Sequence, residues 1–551
     1  MYRPKGFLRS NRLSELCSYK ASIPGIIITI SIGTFYIIRR HTLYLADGYI
    51  FLAYARQISS ALNWGINAGE PSFATSSPLW TVICALFRLI TPSWLDFVRV
   101  MQVVGLLLIA GALPIMDSIL RRLKIPTIPR TLAIGIYAAI PFGGLFYEIS
   151  AMETSLYILI FFCVVRVALS DPSPRMSALF GVITGLLFLV RIEGAMCMLS
   201  FALLIAISES APSKKLLTLV TAGFTFICTI LPWQIYLYLK GGILIPTSGT
   251  GRLYLYFPIK GLEISSYLAL NMFQHLYLIW NIFQSNFIQH PVVLIFGFLP
   301  TAGTISVLIL SRFRKIVSLS DLQKRAVLFL SVYCILNFIL YMFFQPLIYQ
   351  RYLVAALPSF LICLLTVTPF EGAIGKQFAR SWTRMGMALA SLGALIFINW
   401  FGLGYFDKST RNDTQVIALF GRLKTSIGDT PCRLGAEPLG IAAYFTSCYI
   451  VDLGGLIDPD IWPYWIHSNR QHIDQATGQY AIDRHVDYLY SSNGLLPSNI
   501  SDRFEPRYRG ITPSIIYEAK VEMAKGRAAK PVEAGRQRPA QARQSAKARL
   551  D

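Results

Sequence analysis

Charge is what this sequence has least of. Only 14% of its 551 residues are Asp, Glu, Lys or Arg. A soluble globular protein carries about 25%, so the deficit excludes an ordinary cytosolic enzyme. Acidic residues are the scarcer sign: 29 Asp plus Glu stand against 50 Lys plus Arg, a formal net charge of +21. Such an excess can mark a nucleic-acid binder, but here the cations sit in short clusters between apolar runs, the distribution that membrane orientation produces. The first apolar run lacks a small-residue cleavage site behind it and continues into IIRRH at 37–41, so it reads as a retained signal anchor. A repeat of fixed period is also missing. Cysteine is thin outside the apolar region: only Cys432 and Cys448 fall in the C-terminal soluble part, and the other seven lie in the N-terminal tail and the apolar region, where they read as small packing residues. The C-terminal pair permits a disulfide in an oxidising compartment and equally permits two free thiols.

What is abundant is apolar surface, 54% of residues with a mean hydropathy of +0.52. A hydrocarbon core about 30 Å thick takes roughly 20 helical residues to cross. Runs of that kind fall near 21–38, 97–119, 131–147, 152–169, 177–191, 194–208, 217–239, 291–311, 326–345, 352–368 and 385–402. The fold class expected is a polytopic α-helical membrane protein of about 11 transmembrane helices. Cytoplasmic loops then carry Arg121, Arg122, Lys124 and Arg130, next Arg175, Lys214 and Lys215, next Arg312, Arg314, Lys315, Lys324 and Arg325, and last Lys376, Arg380 and Arg384. This arrangement holds if the run from Ser77 to Thr91, short, interrupted by Arg88 and closed by Pro92, lies at the outer face without crossing. If it crosses, every later side is reversed. Arg39 and Arg40 fall on the outer side, beside the candidate site described below.

The organisation read from these runs is a cytoplasmic N-terminal tail at 1–20, a transmembrane module at 21–404 with outer loops at 39–96 and 240–290, an extracytoplasmic α/β domain at 405–517 and a basic disordered tail at 518–551. Within the soluble part, CRLGAEPLGIAAYFTSCYIVDLGGL reads as strand, short helix, strand and turn. The tail has almost no large apolar side chain with which to build a core.

Ionisable residues outside the basic loops are costly near a bilayer and narrow the search for chemistry. Asp47, Glu70, Glu148, Glu153, Arg191, Glu193, Arg252 and Arg351 all fall at the outer ends of spans or in outer loops. Each has a plainer reading, which for Arg351 and Arg252, as for Arg191, is an ion pair with Glu193 or Glu153. Asp47 at a helix start favours the helix dipole. Arg191 makes an ion pair with Glu193 or Glu153 that ties helices together. Glu148 and Glu153 make hydrogen bonds between helices. Glu70, Ser76 and Ser77 form a turn and cap. Asp452 and Asp458 form turns in DLGG and DPD. His275 and His290 have no ligand partner at metal spacing.

Taken together, LADGYIFLAYARQISSALNWGINAGEPSFATSSPLW at 45–80 resembles the first outer loop of polytopic glycosyltransferases of the GT-C class, in particular the group containing the terminal arabinofuranosyltransferases of the mycobacterial cell wall. Further along, SAMETSLYIL is similar to a GMET element of that group, LVRIEGAM to TRPEG, GGILIPTSGTGR to a G…PNT…K loop, QRYLVAALP to RYLLPVLP and IAAYFTSCYIVDLGGLIDP to IGYFSDRPVIDLVGLTDP. The matches run from 45 to 459. The chain departs from the pattern at Ala46, where the group has the first Asp of a pair, at Ile192, where it has Pro, and in lacking the Asn before Thr247.

The resemblance implies a membrane glycosyltransferase, hexosyl- or pentosyltransferase. It would move a sugar from a polyprenyl-phosphate donor to a glycan or lipid acceptor on the extracytoplasmic face of a bacterial cytoplasmic membrane, with inversion. It assigns Asp47 as general base, Arg191, Arg351, Arg252 and Tyr352 to the donor phosphate, and Glu70, Glu148, Glu153, Glu193 and Thr247 to the substrates. No nucleic-acid partner is implied, and a divalent cation is left open because one carboxylate of the pair is absent. The competing class is a multi-pass transporter or flippase of lipid-linked sugars, which would not call for a large outer α/β domain. Sugar and acceptor are not encoded in composition or spacing.

Overall fold

The structure, a computed structural model, describes residues 20–39, 43, 47–92, 96–139, 150–171, 173–244, 246–248, 299–313, 319–344, 354–368, 405–467, 473–492, 496, 499–509 and 514–520. The apolar part is a helical assembly built from α1 (Ile23–Arg39), α2 (Gly48–Ala61), α3 (Pro78–Ile90), α4 (Phe97–Arg122), α5 (Thr127–Ala139), α6 (Thr154–Ala168), α7 (Pro174–Val190), α8 (Gly194–Ala206), α9 (Pro212–Gly241), α10 (Leu299–Phe313), α11 (Asp321–Phe344) and α12 (Ala356–Val367). A helix overlaps each expected span except 385–402, which lies outside the described residues. Among the described residues only α4, α9 and the stretch Asp321–Tyr341 of α11 are long and apolar enough to cross a membrane. Helices α1, α3, α6, α7, α8, α10 and α12 contain shorter apolar stretches. The 13 residues of α3 reach about 20 Å at 1.5 Å per residue, well under a hydrocarbon core.

The helix ends follow from local chemistry. Asp96 caps α4 by accepting from the Val98 N–H at 3.0 Å, and Ser173 caps α7 by accepting from the Met176 N–H, with Pro174 at the first helical position. Helix α9 stops at Gly242, whose φ of +66° is a left-handed cap. Helix α4 packs on α1 and α6, α7 on α9 and α8, and α11 on α8, α10 and α12. The long α9 is peripheral: Leu216, Leu217, Phe224 and Leu239 stay exposed along it, as befits a lipid-facing helix.

The C-terminal part begins with α13 (Tyr405–Ile427) and carries a five-stranded sheet of β1 (Arg433–Ala436), β2 (Tyr449–Asp452), β3 (Tyr488–Ser491), β4 (Phe504–Arg509) and β5 (Ile515–Ala519), in the order β2-β1-β3-β5-β4. Strand β1 is parallel to β2 and β3, and β5 is antiparallel to β3 and β4. The strand, helix, strand and turn read from the sequence are β1, α14 (Leu439–Phe445), β2 and the turn after Asp452. Side chains alternate across the sheet. Ile450, Tyr490 and Ile516 face the main core, continuous with the helical part through Phe420 and Leu423. Val451, Leu489 and Tyr517 face a second core with Trp465 and Tyr480, on the side of α15 (Trp462–His467) and α16 (Ile473–Asp483).

Cys432 and Cys448 form a disulfide across β1 and β2, 16 residues apart in the chain, with Cα atoms 4.7 Å apart. Closing a loop of that length stabilises a fold by about 3 kcal/mol. The double variant Cys432→Ser/Cys448→Ser is therefore expected to unfold at a clearly lower temperature than the wild type, and the difference should vanish when both are measured in reductant. Of the free thiols among the described residues, Cys84, Cys197, Cys334 and Cys363 are buried as packing residues, Cys163 is half-buried and Cys228 is exposed.

Candidate active site

The soluble domain is fastened to the outer loop by side chains of α2 and the turn behind it. Arg56 donates to the carbonyls of Ala443 at 2.6 Å and Tyr444 at 3.1 Å at the end of α14. Asn67 behaves like one residue of a neighbouring strand: its amide donates to the Ile450 carbonyl at 2.9 Å and its oxygen accepts from the Ile450 N–H at 2.8 Å, along the outer edge of β2. Glu70 accepts from the Tyr449 hydroxyl at 2.6 Å. The Tyr49 ring packs on Tyr444 and Phe445. These contacts seat the domain over the ends of the helices.

Between them lies a cavity of about 250 Å³ whose wall includes Asp47, Glu153, Arg191, Glu193, Trp233 and Leu456. Asp47 stands at the N-cap position of α2 but makes no side-chain cap hydrogen bond, so capping does not account for it. Glu153 stands likewise before α6, without a cap bond. The turn that delivers it is held in two places. Trp80 of α3 donates from its indole to the Ala151 carbonyl at 2.9 Å. The backbone of Gly48 lies so near Ser150 that a Cβ there would meet the Ser150 carbonyl oxygen at 2.2 Å. Ala151 itself holds a left-handed φ of +55°, a conformation that a residue with a side chain keeps only when its surroundings impose it.

That close approach gives a sharp test. Gly48→Ala must push the start of α2 away from Ser150 and move Asp47, the preceding residue, with it. Displacements near 1 Å at reacting groups cost about 100-fold in rate. The variant is expected to melt below wild type, an overpacking cost of about 1–3 kcal/mol, yet to elute as a folded protein while its folded fraction loses about two orders of magnitude in the activity proposed below, measured with purified protein.

The end of α7 and the start of α8 supply the cationic centre. Helix α7 stops where Arg191 turns extended, at φ −157° and ψ 142°, and α8 begins three residues later at Gly194. Arg191 is buried and bonded on several sides: to Glu153 at 2.5 Å, and to Glu193 at 2.9 Å from Nε and 2.8 Å from the terminal nitrogen. It also donates to the Tyr341 hydroxyl at 3.3 Å, and Tyr341 in turn donates to Glu193. Its guanidinium lies 5.8 Å from the centroid of the Tyr157 ring, and Tyr157 is hydrogen-bonded to Tyr333. The ion-pair alternative read from the sequence is thus the geometry found, with both glutamates rather than one. Among the described residues on the wall, three carboxylates face one guanidinium, and Glu153 Oε2 is buried without a hydrogen-bond partner.

The other expected site residues are placed as follows. Thr247 is buried; its hydroxyl donates to the Leu456 carbonyl at 2.5 Å and its N–H to the Phe73 carbonyl at 3.0 Å. It pins the strap bearing the wall residues Pro246 and Ser248 to the soluble domain. Glu70 is outside the cavity wall, on Tyr449. Ser77 takes the N-cap position of α3 without making a side-chain cap bond, while Ser76 lines the cavity. Asp452 forms the turn its sequence implies, accepting from the N–H groups of Gly454, Leu456 and Ile457 at 2.9, 2.5 and 2.7 Å. Burial lifts its carboxyl to about 6 although the three donors pull the other way. Asp458 pairs with Arg484. Glu148, Arg252, Arg351, Tyr352, His275 and His290 lie outside the described residues, as does most of 240–290.

Sequence reasoning missed Trp233, Gln234, Phe188, Tyr341 and Leu456, all on the wall. The one legible signal was LPWQ inside an apolar run, where a Pro, an aromatic and an amide interrupt a lipid-facing helix. Trp233 is braced by Trp64 at 4.8 Å and Tyr236 at 5.6 Å between ring centroids. Among the described residues, His, Cys, Asp and Glu form no group of three suited to a metal ion.

No protein-family model matches the chain. No curated protein matches it either. Among solved structures, it is similar to the oligosaccharyltransferase of Archaeoglobus fulgidus, crystallised with zinc and sulfate, with a TM-score of 0.44 and 12% identity over 86% of this chain and 68% of that one.

Proposed function

We propose that the protein is a membrane glycosyltransferase that moves a sugar from a polyprenyl-phosphate donor to an acceptor hydroxyl at the extracytoplasmic face, with inversion. The observation that carries this reading is the meeting of Asp47 with the Arg191, Glu153 and Glu193 cluster on one cavity, roofed by the soluble domain at the ends of apolar helices. A lipid-linked donor stays at such an interface while its acceptor arrives from water. Supporting it are the outer-loop and DLGGLIDP segments that resemble GT-C enzymes, and the disulfide in the roof, which suits an oxidising compartment.

In this mechanism Asp47 takes the proton of the acceptor hydroxyl as its oxygen attacks the anomeric carbon. The bond to the phosphate oxygen breaks on the opposite face, and polyprenyl phosphate leaves with the electron pair. Trp233 offers a ring face to the sugar, and Glu153 Oε2 accepts from a sugar hydroxyl. Arg191 is a positioning residue that holds Glu153 and Glu193 in place through its hydrogen bonds to both. The phosphate falls first to Arg351, whose planar guanidinium can hold phosphate oxygens bidentately, and second to Arg252 and Tyr352. A transporter would have no use for a base at this place.

The test is purified full-length protein with synthetic polyprenyl-phosphate sugars and an acceptor glycan. The expected result is release of polyprenyl phosphate matched by a glycosylated acceptor of opposite anomeric configuration by NMR. Movement of the intact donor across a vesicle without product would overturn the reading in favour of a flippase.

A further inference from the structure

Helix α3 turns two different faces to its surroundings. Trp80, Thr81, Cys84 and Ala85 are buried, where α3 packs on α2, α7 and α4. Val82, Leu86, Leu89 and Ile90 recur at helical spacing and are exposed, the last three by more than half. A stripe of large apolar side chains on a helix too short to cross a bilayer suits the boundary between headgroups and acyl chains.

The end of α3 is placed at that depth by the helix that follows. Helix α4, whose 26 residues are long and apolar enough to cross a membrane, begins at Phe97, so its first turn stands at headgroup level. The Arg88 guanidinium lies 5.8 Å from the centroid of the Phe97 ring. Arg88 is therefore level with the entry of a crossing helix. It is also remote from the cavity described above, which α3 meets at Pro78, about 15 Å along the helix at 1.5 Å per residue.

The charges gathered here do not balance. Arg88 is half-buried and makes no ion pair among the described residues. Arg56, whose terminal nitrogens hold the carbonyls of Ala443 and Tyr444, meets Arg88 as a like charge with no carboxylate acting on it. Asp96 is the acid nearby, acting on the Tyr444 phenol together with Arg88 and Arg56. Its side chain is already engaged, by the Val98 N–H at 3.0 Å and by Arg99 at 3.7 Å. The described side chains thus set Arg56, Arg88 and Arg99 against one carboxylate, and an anion beside Arg88 relieves the repulsion between Arg56 and Arg88.

We propose that this corner binds an anionic phospholipid of the leaflet bordering the soluble domain, its phosphate on Arg88 beside Arg56 and its acyl chains against Leu86, Leu89 and Ile90. The surplus of positive charge favours a headgroup that brings no cation of its own, and the apolar stripe calls for chains as well as a phosphate. The site stands independently of the transferase reading.

The experiment uses the full-length protein in nanodiscs of phosphatidylcholine containing a minority of phosphatidylglycerol, released into mild detergent, with the retained lipid counted by native mass spectrometry. Wild type should keep phosphatidylglycerol in preference to phosphatidylcholine. Arg88→Ala should keep about tenfold less, the loss expected when a charge-assisted phosphate contact is removed, and Arg88→Lys should recover part of it. Lys214→Ala removes one exposed cation from another loop and should retain lipid as wild type does. Leu86→Gln/Leu89→Gln, which spoils the stripe and leaves the arginines, should lower retention too, and elution profiles establish that each variant is folded. Glycerol phosphate, a headgroup without chains, should not displace the lipid. Wild-type retention by Arg88→Ala, or an equal loss in Lys214→Ala, would overturn the proposal by making the preference one of overall charge. Displacement by glycerol phosphate, or an unchanged Leu86→Gln/Leu89→Gln variant, would reduce the site to a phosphate contact and overturn the lipid assignment.

Discussion

Asp47→Asn is expected to lower the transfer rate by about 10²–10⁴-fold, the usual contribution of a positioned general base, while leaving donor binding nearly unchanged. The substitution keeps shape and polarity and removes only the capacity to take a proton. The side chain sits on the cavity wall at the N-cap position of α2, where it makes no cap hydrogen bond for the substitution to break. A structural role would give the opposite pattern, a lower melting temperature with the rate per folded molecule intact. Single-turnover assays with a polyprenyl-phosphate sugar, run alongside thermal melts, separate the two. Equal turnover by wild type and Asp47→Asn would remove the base from the mechanism.

Arg191→Ala should have the largest effect on stability. It would leave Glu153 and Glu193, 3% and 2% exposed, buried without their shared cation, and breaking a buried pair by deleting one partner costs about 3–5 kcal/mol. The expected result is a detergent-solubilised protein that melts far below wild type or fails to stay monodisperse. Arg191→Lys keeps the charge but loses the fork that reaches both carboxylates, so it should fall between. The informative variant is Arg191→Met combined with Glu153→Gln and Glu193→Gln, which removes all three charges together. Replacing a buried ionic group whole is often neutral for stability. That triple variant should therefore melt near wild type and still be inactive, which would assign the cluster to positioning the substrates rather than to holding the helices. Full activity in the triple variant would refute the role given to Glu153.

The helices were legible because their evidence is local. An apolar run of membrane length states itself in composition, and Asp96, Ser173 with Pro174, and Gly242 mark helix ends within one turn of where they act. The β1, α14, β2 unit was legible for the same reason, since strand alternation and the DLGG turn are patterns of a few residues. Length was less readable. The run at 177–191 ends as a helix at Val190, because the turn from Arg191 to Glu193 places these charges on the cavity wall instead of continuing the helix.

Among site residues, Asp47, Glu153, Arg191 and Glu193 could be named from sequence because a charged side chain at the end of an apolar run is costly and seldom idle. Their grouping could not. Tyr341 and Leu456 carry no such cost, and nothing local distinguishes them from the chain's other Tyr and Leu residues; only Trp233 had a local mark, in LPWQ. They join the cavity only through contacts between segments remote in the chain, such as Arg56 to Tyr444 or Thr247 to Leu456.

The sequence by itself determined that the chain is rich in apolar helices, that a small α/β unit follows them, and which scarce charges are available for chemistry, since all three depend on the free energy of moving individual residues between water and an apolar medium. Only the tertiary structure decided that Arg191 is shared by two glutamates, that Gly48 must lie against Ser150, and that a turn of the soluble domain closes the cavity. Those outcomes depend on which segments meet. Meeting is set by shape and by the pairing of buried polar groups over hundreds of residues, information that no short window of sequence contains.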